Sequence, residues 1–193
     1  GTILKLDNGK LEIFADGVRN SVGFDWHPET QEMYFTDNGR DMMGDDIPPC
    51  ELNRVSSAGN NFGFPFVHGK NIQDDGYKQP DGFQYEEPVW EFQAHTAPLG
   101  IKFYTGDAFP EHYKNGAFVA QHGSWNRSKK VGYKVLFMKF ENGEVISSET
   151  FIDGWLQGEE SWGTPVTPLF LKDGSMLVSD DNSNSIFKIT YKG

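Results

Sequence analysis

The sequence predicts an all-β fold, on two observations. Short apolar runs with period-two alternation recur throughout the 193 residues, and no stretch keeps a helical period of useful length. The runs also form a unit that appears about three times: apolar strand, turn, apolar strand, polar loop, outer strand. Such units predict β-propeller blades, here about three four-stranded antiparallel blades making half of a ring. A β-sandwich has similar strand counts, but it does not explain why polar residues recur after the same strand of each unit.

The elements follow in order. Thr2–Leu6 and Leu11–Phe14 flank Asp7-Asn8-Gly9-Lys10, a hairpin turn. Residues 1–15 are assigned to the outer strands of a neighbouring blade. The first blade spans 17–92 and is built on the hairpin Val22–Trp26 and Met33–Thr36, joined by His27–Glu32. Polar groups collect at the hairpin's open end: Arg19-Asn20 before it, and Asp37-Asn38-Gly39-Arg40 after it. Antiparallel pairing brings both clusters to one rim. Asp41–Pro49 is an acidic, proline-ended loop, and Asp37, Asp41, Asp45 and Asp46 read as solvated carboxylates. Glu51–Val55 is the third strand, Asn60–Pro65 is turn chemistry, and Lys70–Glu87 is a long polar excursion placed to cover a site.

The second blade spans 97–153. Its strands are Pro98–Tyr104, Gly116–Ala120, Gly132–Phe140 and Val145–Ile152, and the second of them ends in Gln121-His122-Gly123-Ser124. The third blade spans 162–193, with Val166–Leu171, Met176–Ser179 and Ile186–Tyr191 but no fourth strand. Three blades do not close a ring, and open sheet edges invite pairing. Self-association is therefore expected.

Composition removes several function classes. Lys and Arg number 17 against 28 Asp and Glu, a net charge of -11, which argues against nucleic-acid binding. A single cysteine, Cys50, excludes an internal disulfide framework and fits a buried neutral thiol. No run approaches the roughly 20 apolar residues of a membrane-spanning helix, and no signal-peptide pattern occurs in the 193 residues.

Among titratable side chains, His122 is the candidate base, because imidazole titrates near neutral pH. His95 ranks next, and His27, in a turn at the far end of the strands, reads as structural. The five tryptophans read chiefly as packing between blades, with Trp125 the candidate sugar platform.

Several long motifs carry a resemblance to a known family. They are Gly17-Val18-Arg19-Asn20-Ser21-Val22-Gly23-Phe24-Asp25-Trp26-His27-Pro28, Thr36-Asp37-Asn38-Gly39-Arg40-Asp41, Asn61-Phe62-Gly63-Phe64-Pro65, Ala97-Pro98-Leu99-Gly100, Phe103-Tyr104-Thr105-Gly106 and Gln121-His122-Gly123-Ser124-Trp125-Asn126-Arg127-Ser128. Together they resemble the sorbosone/glucose dehydrogenase family, six-bladed propellers that use pyrroloquinoline quinone (PQQ) and calcium. The similarity runs along the whole chain and matches the C-terminal half of the family's domain.

The resemblance implies a periplasmic or secreted oxidoreductase that oxidises an aldose or related sugar. It places Arg19 and Asn20 at the quinone, with Arg127 and Lys130 beside the central face, and gives the carbonyls of Gly39 and Arg40 to calcium. Glu51 and Phe62 match positions of a second, structural calcium. An anionic tricarboxylate suits arginine forks, and calcium suits hard oxygen donors. The sequence departs from the family at two points. The family's usual catalytic histidine lies in its N-terminal half, leaving His122 as this chain's candidate, and Thr164 stands where relatives carry a cofactor-clamping arginine. The alternatives are a non-catalytic binding propeller and a calcium-dependent lactonase-like hydrolase.

Overall fold

The computed structural model describes residues 1–192, and these described residues are all-β apart from one 3-10 turn at Glu111–Tyr113. β1 (Thr2–Asp7) and β2 (Lys10–Asp16) form an antiparallel hairpin. β3 (Ser21–Trp26), β4 (Met33–Asp37) and β5 (Cys50–Val55) follow as an antiparallel meander. Several short elements depart from the sequence reading. β6 (Asn60–Asn61), read as turn, pairs in parallel with β2. After the short hairpin of β7 (Val67–His68) and β8 (Ile72–Gln73), β9 (Trp90–Phe92) pairs with β5 and completes a four-stranded sheet ordered β3-β4-β5-β9. Three residues are too few to display an alternation.

The next sheet is β10 (Pro98–Phe103), β11 (Ala117–Gln121), β12 (Lys134–Glu141) and β13 (Glu144–Ile152), paired in that order. A small hairpin of β14 (Leu156–Gln157) and β15 (Glu160–Ser161) leads to a three-stranded sheet of β16 (Pro165–Phe170), β17 (Met176–Asp180) and β18 (Ser185–Ile189).

The sheets pack face against face. Between the first and second large sheets lie Tyr34, Leu52, Phe92, Ile101, Phe103, Val119 and Met138. Between the second and third lie Phe118, Val135, Phe137, Met176 and Val178, with Tyr104 and Trp155. A smaller cluster of Ala15, Val18, Met33, Phe35 and Phe62 joins the N-terminal hairpin to the first sheet. Strands β4 and β11 are buried along their whole length, so they read as continuous apolar runs instead of clean alternation. Edge-to-face pairs such as Tyr34–Phe103, at 5.6 Å, cross the first interface and contribute about 0.5–1.5 kcal/mol each beyond their burial.

Inner strands of successive sheets approach very closely, and two glycines permit it. A Cβ on Gly23 of β3 would fall 2.3 Å from the Leu99 carbonyl oxygen of β10, and one on Gly100 would fall 2.7 Å from Thr167 Cα of β16. The buried Thr36 hydroxyl adds a tie, donating to Leu99 O at 2.6 Å. Asp25 adds another, accepting from Phe103 N at 2.8 Å and Lys102 Nζ at 2.9 Å. The loops that follow β4 and β11 and the segments that precede β3, β10 and β16 are thereby drawn to one rim.

Packing of the tryptophans differs from expectation. Trp155 is buried, but Trp26, Trp125 and Trp162 are 49%, 77% and 48% exposed. His27 is structural as expected. It is 1% exposed among Tyr34, Phe103 and Phe140, and its Nδ1 accepts from Glu29 N and Thr30 N at 3.2 Å each. Burial lowers its pKa.

Candidate active site

The site begins with Asp37, at the end of β4. The sequence placed it in a solvated acidic loop, but it is 4% exposed. Its carboxylate accepts from the backbone N–H of Arg19 at 2.8 Å and of Asn20 at 2.6 Å. Those two bonds hold the turn entering β3 against the exit of β4. Burial pushes the Asp37 carboxyl up to about 6, against the opposing pull of the two amides and the Arg19 charge.

The Arg19 guanidinium then reaches across the rim. Nη1 donates to the carbonyls of Asn38 at 3.0 Å and Gly39 at 2.8 Å, and Nη2 to Asp41 at 3.1 Å. Gly39 packs so tightly on the Pro48–Pro49 backbone that a Cβ would sit 2.5 Å from Pro49 O. Its N–H points at the buried Cys50 sulfur, and burial raises that thiol's pKa.

Arg19, Asn20, Asn38, Gly39 and Asp41 share one cavity of about 290 Å³ with His95, His122 and Trp125. His95 and Ala97 line it in left-handed conformations, with φ of 66° and 49°, a costly backbone state for non-glycine residues that clusters at functional sites. His95 Nε2 is 2.7 Å from the Gly44 carbonyl oxygen. His122 follows β11 and stands against Asp181, which follows β17. Its Nε2 lies 3.0 and 3.2 Å from the two carboxylate oxygens. Thr164, just before β16, donates its hydroxyl to the same carboxylate.

Three other residues singled out in the sequence have different partners. The Arg40 side chain ion-pairs with Asp74, whose carboxylate has no solvent exposure and also meets His68 Nε2 at 2.9 Å. Arg127 is bound to the Asp45 carbonyl and, at 2.8 Å, to the Asp46 carboxylate. Lys130 donates to Ser161 Oγ at 3.0 Å. The acidic loop is thus a docking surface for 126–128, reinforced by Met42 N to Asn126 Oδ1 at 2.8 Å and Ser128 N to Asp45 at 3.0 Å. Asp74, His68 and Asp181 carried no signal in the sequence, since each meets a partner brought to it only by folding.

Two observations bear on calcium. The rim carries hard oxygens: the carbonyls of Asn38 and Gly39 and the Asp41 carboxylate, all three accepting from the Arg19 guanidinium, and Asn38 Oδ1, which is buried without a hydrogen-bond partner. Such a donor set fits calcium. Among the described residues no three His, Cys, Asp or Glu side chains converge as a metal cluster, so the fit is to carbonyl and amide oxygens. Glu51, on β5, is a second buried acid, pushed up to about 7 by burial and by the nearby Asp37 charge. It accepts from Gly69 N and Asn53 Nδ2 at 2.7 and 2.9 Å, while Asn53 Oδ1 is buried without a partner.

A larger cleft, of about 630 Å³, opens between Lys102–Ala108 and Phe170–Gly174. Most of its charges are already matched, Lys102 with Asp25, Asp107 with Lys114 and Asp173 with Lys188, which leaves Lys172 without an ion-pair partner among the described residues. It lacks the convergent unpaired polar groups of the smaller cavity.

Comparison with known proteins agrees with the fold. An uncharacterized protein of Borreliella burgdorferi is 44% identical over 194 residues, covering 98% of this chain and 51% of that protein. The calcium structure of the Trichoderma reesei carbohydrate-active enzyme of family AA12 superimposes with a TM-score of 0.75 at 23% identity, covering 91% of this chain and 53% of that one. The holo form of the pyranose dehydrogenase PQQ domain from Coprinopsis cinerea gives 0.67 at 21% identity, covering 94% and 56%. The chain spans about half the length of the relatives it matches. The TrAA12-like family matches residues 51–192, most of the sequence, and the chain belongs to that family.

Proposed function

We propose that the chain carries half of the active site of a PQQ- and calcium-dependent sugar dehydrogenase, an oxidoreductase acting on an aldose or related sugar. The supporting observation is the convergence of Arg19, Asn20, Gly39, His122 and Trp125 on one cavity. In this reading the sheets β3-β4-β5-β9, β10 to β13 and β16 to β18 are successive blades of a half-ring, bounded near 17–92, 97–153 and 162–193. Their inner strands face a common axis, and the cavity lies at its mouth.

The chemistry that PQQ would supply here is that of a hydride acceptor. The chain's own residues do the rest. Arg19 and Asn20 orient the anionic quinone, Arg19 through donors not committed to Gly39 and Asp41. Carbonyl oxygens of Gly39 and Arg40 would hold calcium, and Glu51 and Phe62 would hold the second, structural ion. His122 Nδ1 accepts the proton of the sugar hydroxyl, and the exposed Trp125 ring supplies an apolar face for the sugar. Arg127 and Lys130 join the quinone site only by exchanging their contacts with Asp46 and Ser161. The setting is periplasmic or secreted, and self-association covers the open edges of the terminal blades.

The test adds PQQ and calcium to the purified chain. It measures the thermal shift and dye reduction with a panel of aldoses. A rise in Tm that requires both additions, together with sugar-dependent reduction, supports the reading. A chain that shows neither, yet binds a glycan, supports the alternative of a non-catalytic binding propeller, which the engaged state of Arg127 favours.

A further inference from the structure

His122 Nε2 is held by both oxygens of Asp181, and its Nδ1 has no hydrogen-bond partner among the described residues. Asp181 is itself held. The Thr164 hydroxyl donates to it, and this bond is the main cause that keeps its carboxyl below the usual range. Thr164 is in turn fixed by its backbone N–H, 2.8 Å from Asp180 Oδ2, while Asp180 Oδ1 takes Ser183 N at 2.7 Å. Asp180 is 4% exposed. It is packed so closely that a Cβ on Gly163 would fall 2.3 Å from its carboxylate. The chain of contacts therefore runs from a rigid buried acid, through Thr164 and Asp181, to a ring that lines the cavity.

We propose that Asp181 is the positioning residue of this site and Thr164 its lock, together holding the His122 ring with Nε2–H toward Asp181 and a bare Nδ1 toward the cavity. An ionised carboxylate only accepts, so Nε2 carries the hydrogen, and in the neutral ring Nδ1 is then the nitrogen with the lone pair. The Asp181 side chain is 63% exposed, and an ion pair that open to solvent adds little to folding. Its role is to fix tautomer and direction, as second-layer carboxylates do for imidazoles elsewhere. This inference rests on the proposed role of His122 for its catalytic consequence, but not for the tautomer.

The test is Asp181→Asn. In this variant the Thr164 hydroxyl occupies the amide oxygen, leaving the amide N–H to donate to Nε2, and the ring is driven to the Nδ1–H tautomer. Nitrogen-15 imidazole spectra at pH 8 report this directly, without cofactor. The wild type is expected to show Nε2–H, Asp181→Asn mainly Nδ1–H, and Thr164→Val a mixture. In the loaded protein, Asp181→Asn is expected to lose about 100-fold in kcat, with KM and the PQQ thermal shift unchanged, and Asp181→Glu to recover part of the loss. An identical tautomer in wild type and Asp181→Asn overturns the proposal; a switched tautomer with kcat within twofold of wild type overturns the role of His122 as base and leaves the positioning by Asp181 standing. A wild type that shows the Nε2–H ring but neither binds PQQ nor turns over sugar overturns the function proposed above and leaves the positioning role standing.

Discussion

Asp37 and Glu51 are direct cross-strand partners on β4 and β5, and both carboxyls are buried. Like charges placed opposite each other on one face of a sheet repel. Here burial compounds the cost, raising Asp37 to about 6 and Glu51 to about 7. The arrangement persists because each acid anchors backbone N–H groups: Asp37 those of Arg19 and Asn20, Glu51 that of Gly69. Asp37 thereby fixes the rim at Arg19 and Asn20, and Glu51 holds Gly69 against β5.

Replacing Glu51 by Gln removes one of the two charges while keeping an acceptor for Gly69. In chelator at pH 8 the variant is expected to unfold at the same or higher urea concentration than wild type. With calcium at about 100 times its dissociation constant, wild type should gain about 2.7 kcal/mol and the variant distinctly less. Equal calcium-induced shifts in both proteins would remove Glu51 from any calcium site.

Asp74 ties the excursion that contains β7 and β8 to the loop after β4 through Arg40 and His68. Asp74→Asn weakens the ion pair and leaves Arg40 without its counter-charge. Cleavage within residues 70–87 by a low concentration of protease is expected to accelerate about tenfold, because local opening governs that rate. Cleavage in the β10–β13 sheet should not change. Equal acceleration in both regions would show that Asp74 supports the whole fold and not this segment.

Much of the architecture was legible because its strands are long and rich in Val, Ile, Phe and Tyr. β4, β10 to β13 and β16 to β18 stand within about two residues of where alternation and turn residues put them. β9 was invisible at three residues, and the β2–β6 pairing joins Ala15 to Asn60 across a distance that no local pattern encodes. The site divides in the same way. Arg19, Asn20 and Gly39 were placed together by the geometry of a single hairpin. Asp37 was misread because charge density along a chain does not tell which carboxylate turns inward. Asp181 meets His122 from 59 residues away and Asp74 meets Arg40 from 34, so both belong to tertiary structure alone.

His27 provides a pH-dependent prediction. Burial lowers its pKa below 6.5, with Glu29 and Glu32 opposing. In the folded state its Nδ1 must stay bare to accept from Glu29 and Thr30 N–H. As pH falls through about 6.5, the unfolded chain takes up a proton that the native ring refuses, so His27's contribution is present above that pH and lost below it. Urea midpoints for wild type should fall from pH 7.5 to pH 5.5 more steeply than those for His27→Asn, which keeps an acceptor but cannot titrate. Parallel slopes would assign the acid sensitivity elsewhere.

The outer faces lead to the last prediction. On the N-terminal hairpin, Leu4 pairs with Ile13 and Leu6 with Leu11, and the four are 51%, 54%, 71% and 60% exposed. Val22, Phe24 and Trp26 on alternate positions of β3 add three more half-exposed apolar residues, and Leu169 and Ile186 stand out on the opposite terminal sheet. Fully burying a Leu or Ile is worth about 1.5–3 kcal/mol, so apolar side chains exposed side by side on this hairpin favour a covering partner. A second copy is the occupant to test, because apolar side chains stand exposed on both terminal sheets of the chain. Light scattering at about 50 μM should therefore give twice the 21.8 kDa chain mass. Leu6→Glu combined with Leu11→Lys should return the monomer with an unchanged β-sheet spectrum, since both side chains leave the cores intact. A wild-type monomer at that concentration would exclude a second copy as the occupant of these faces.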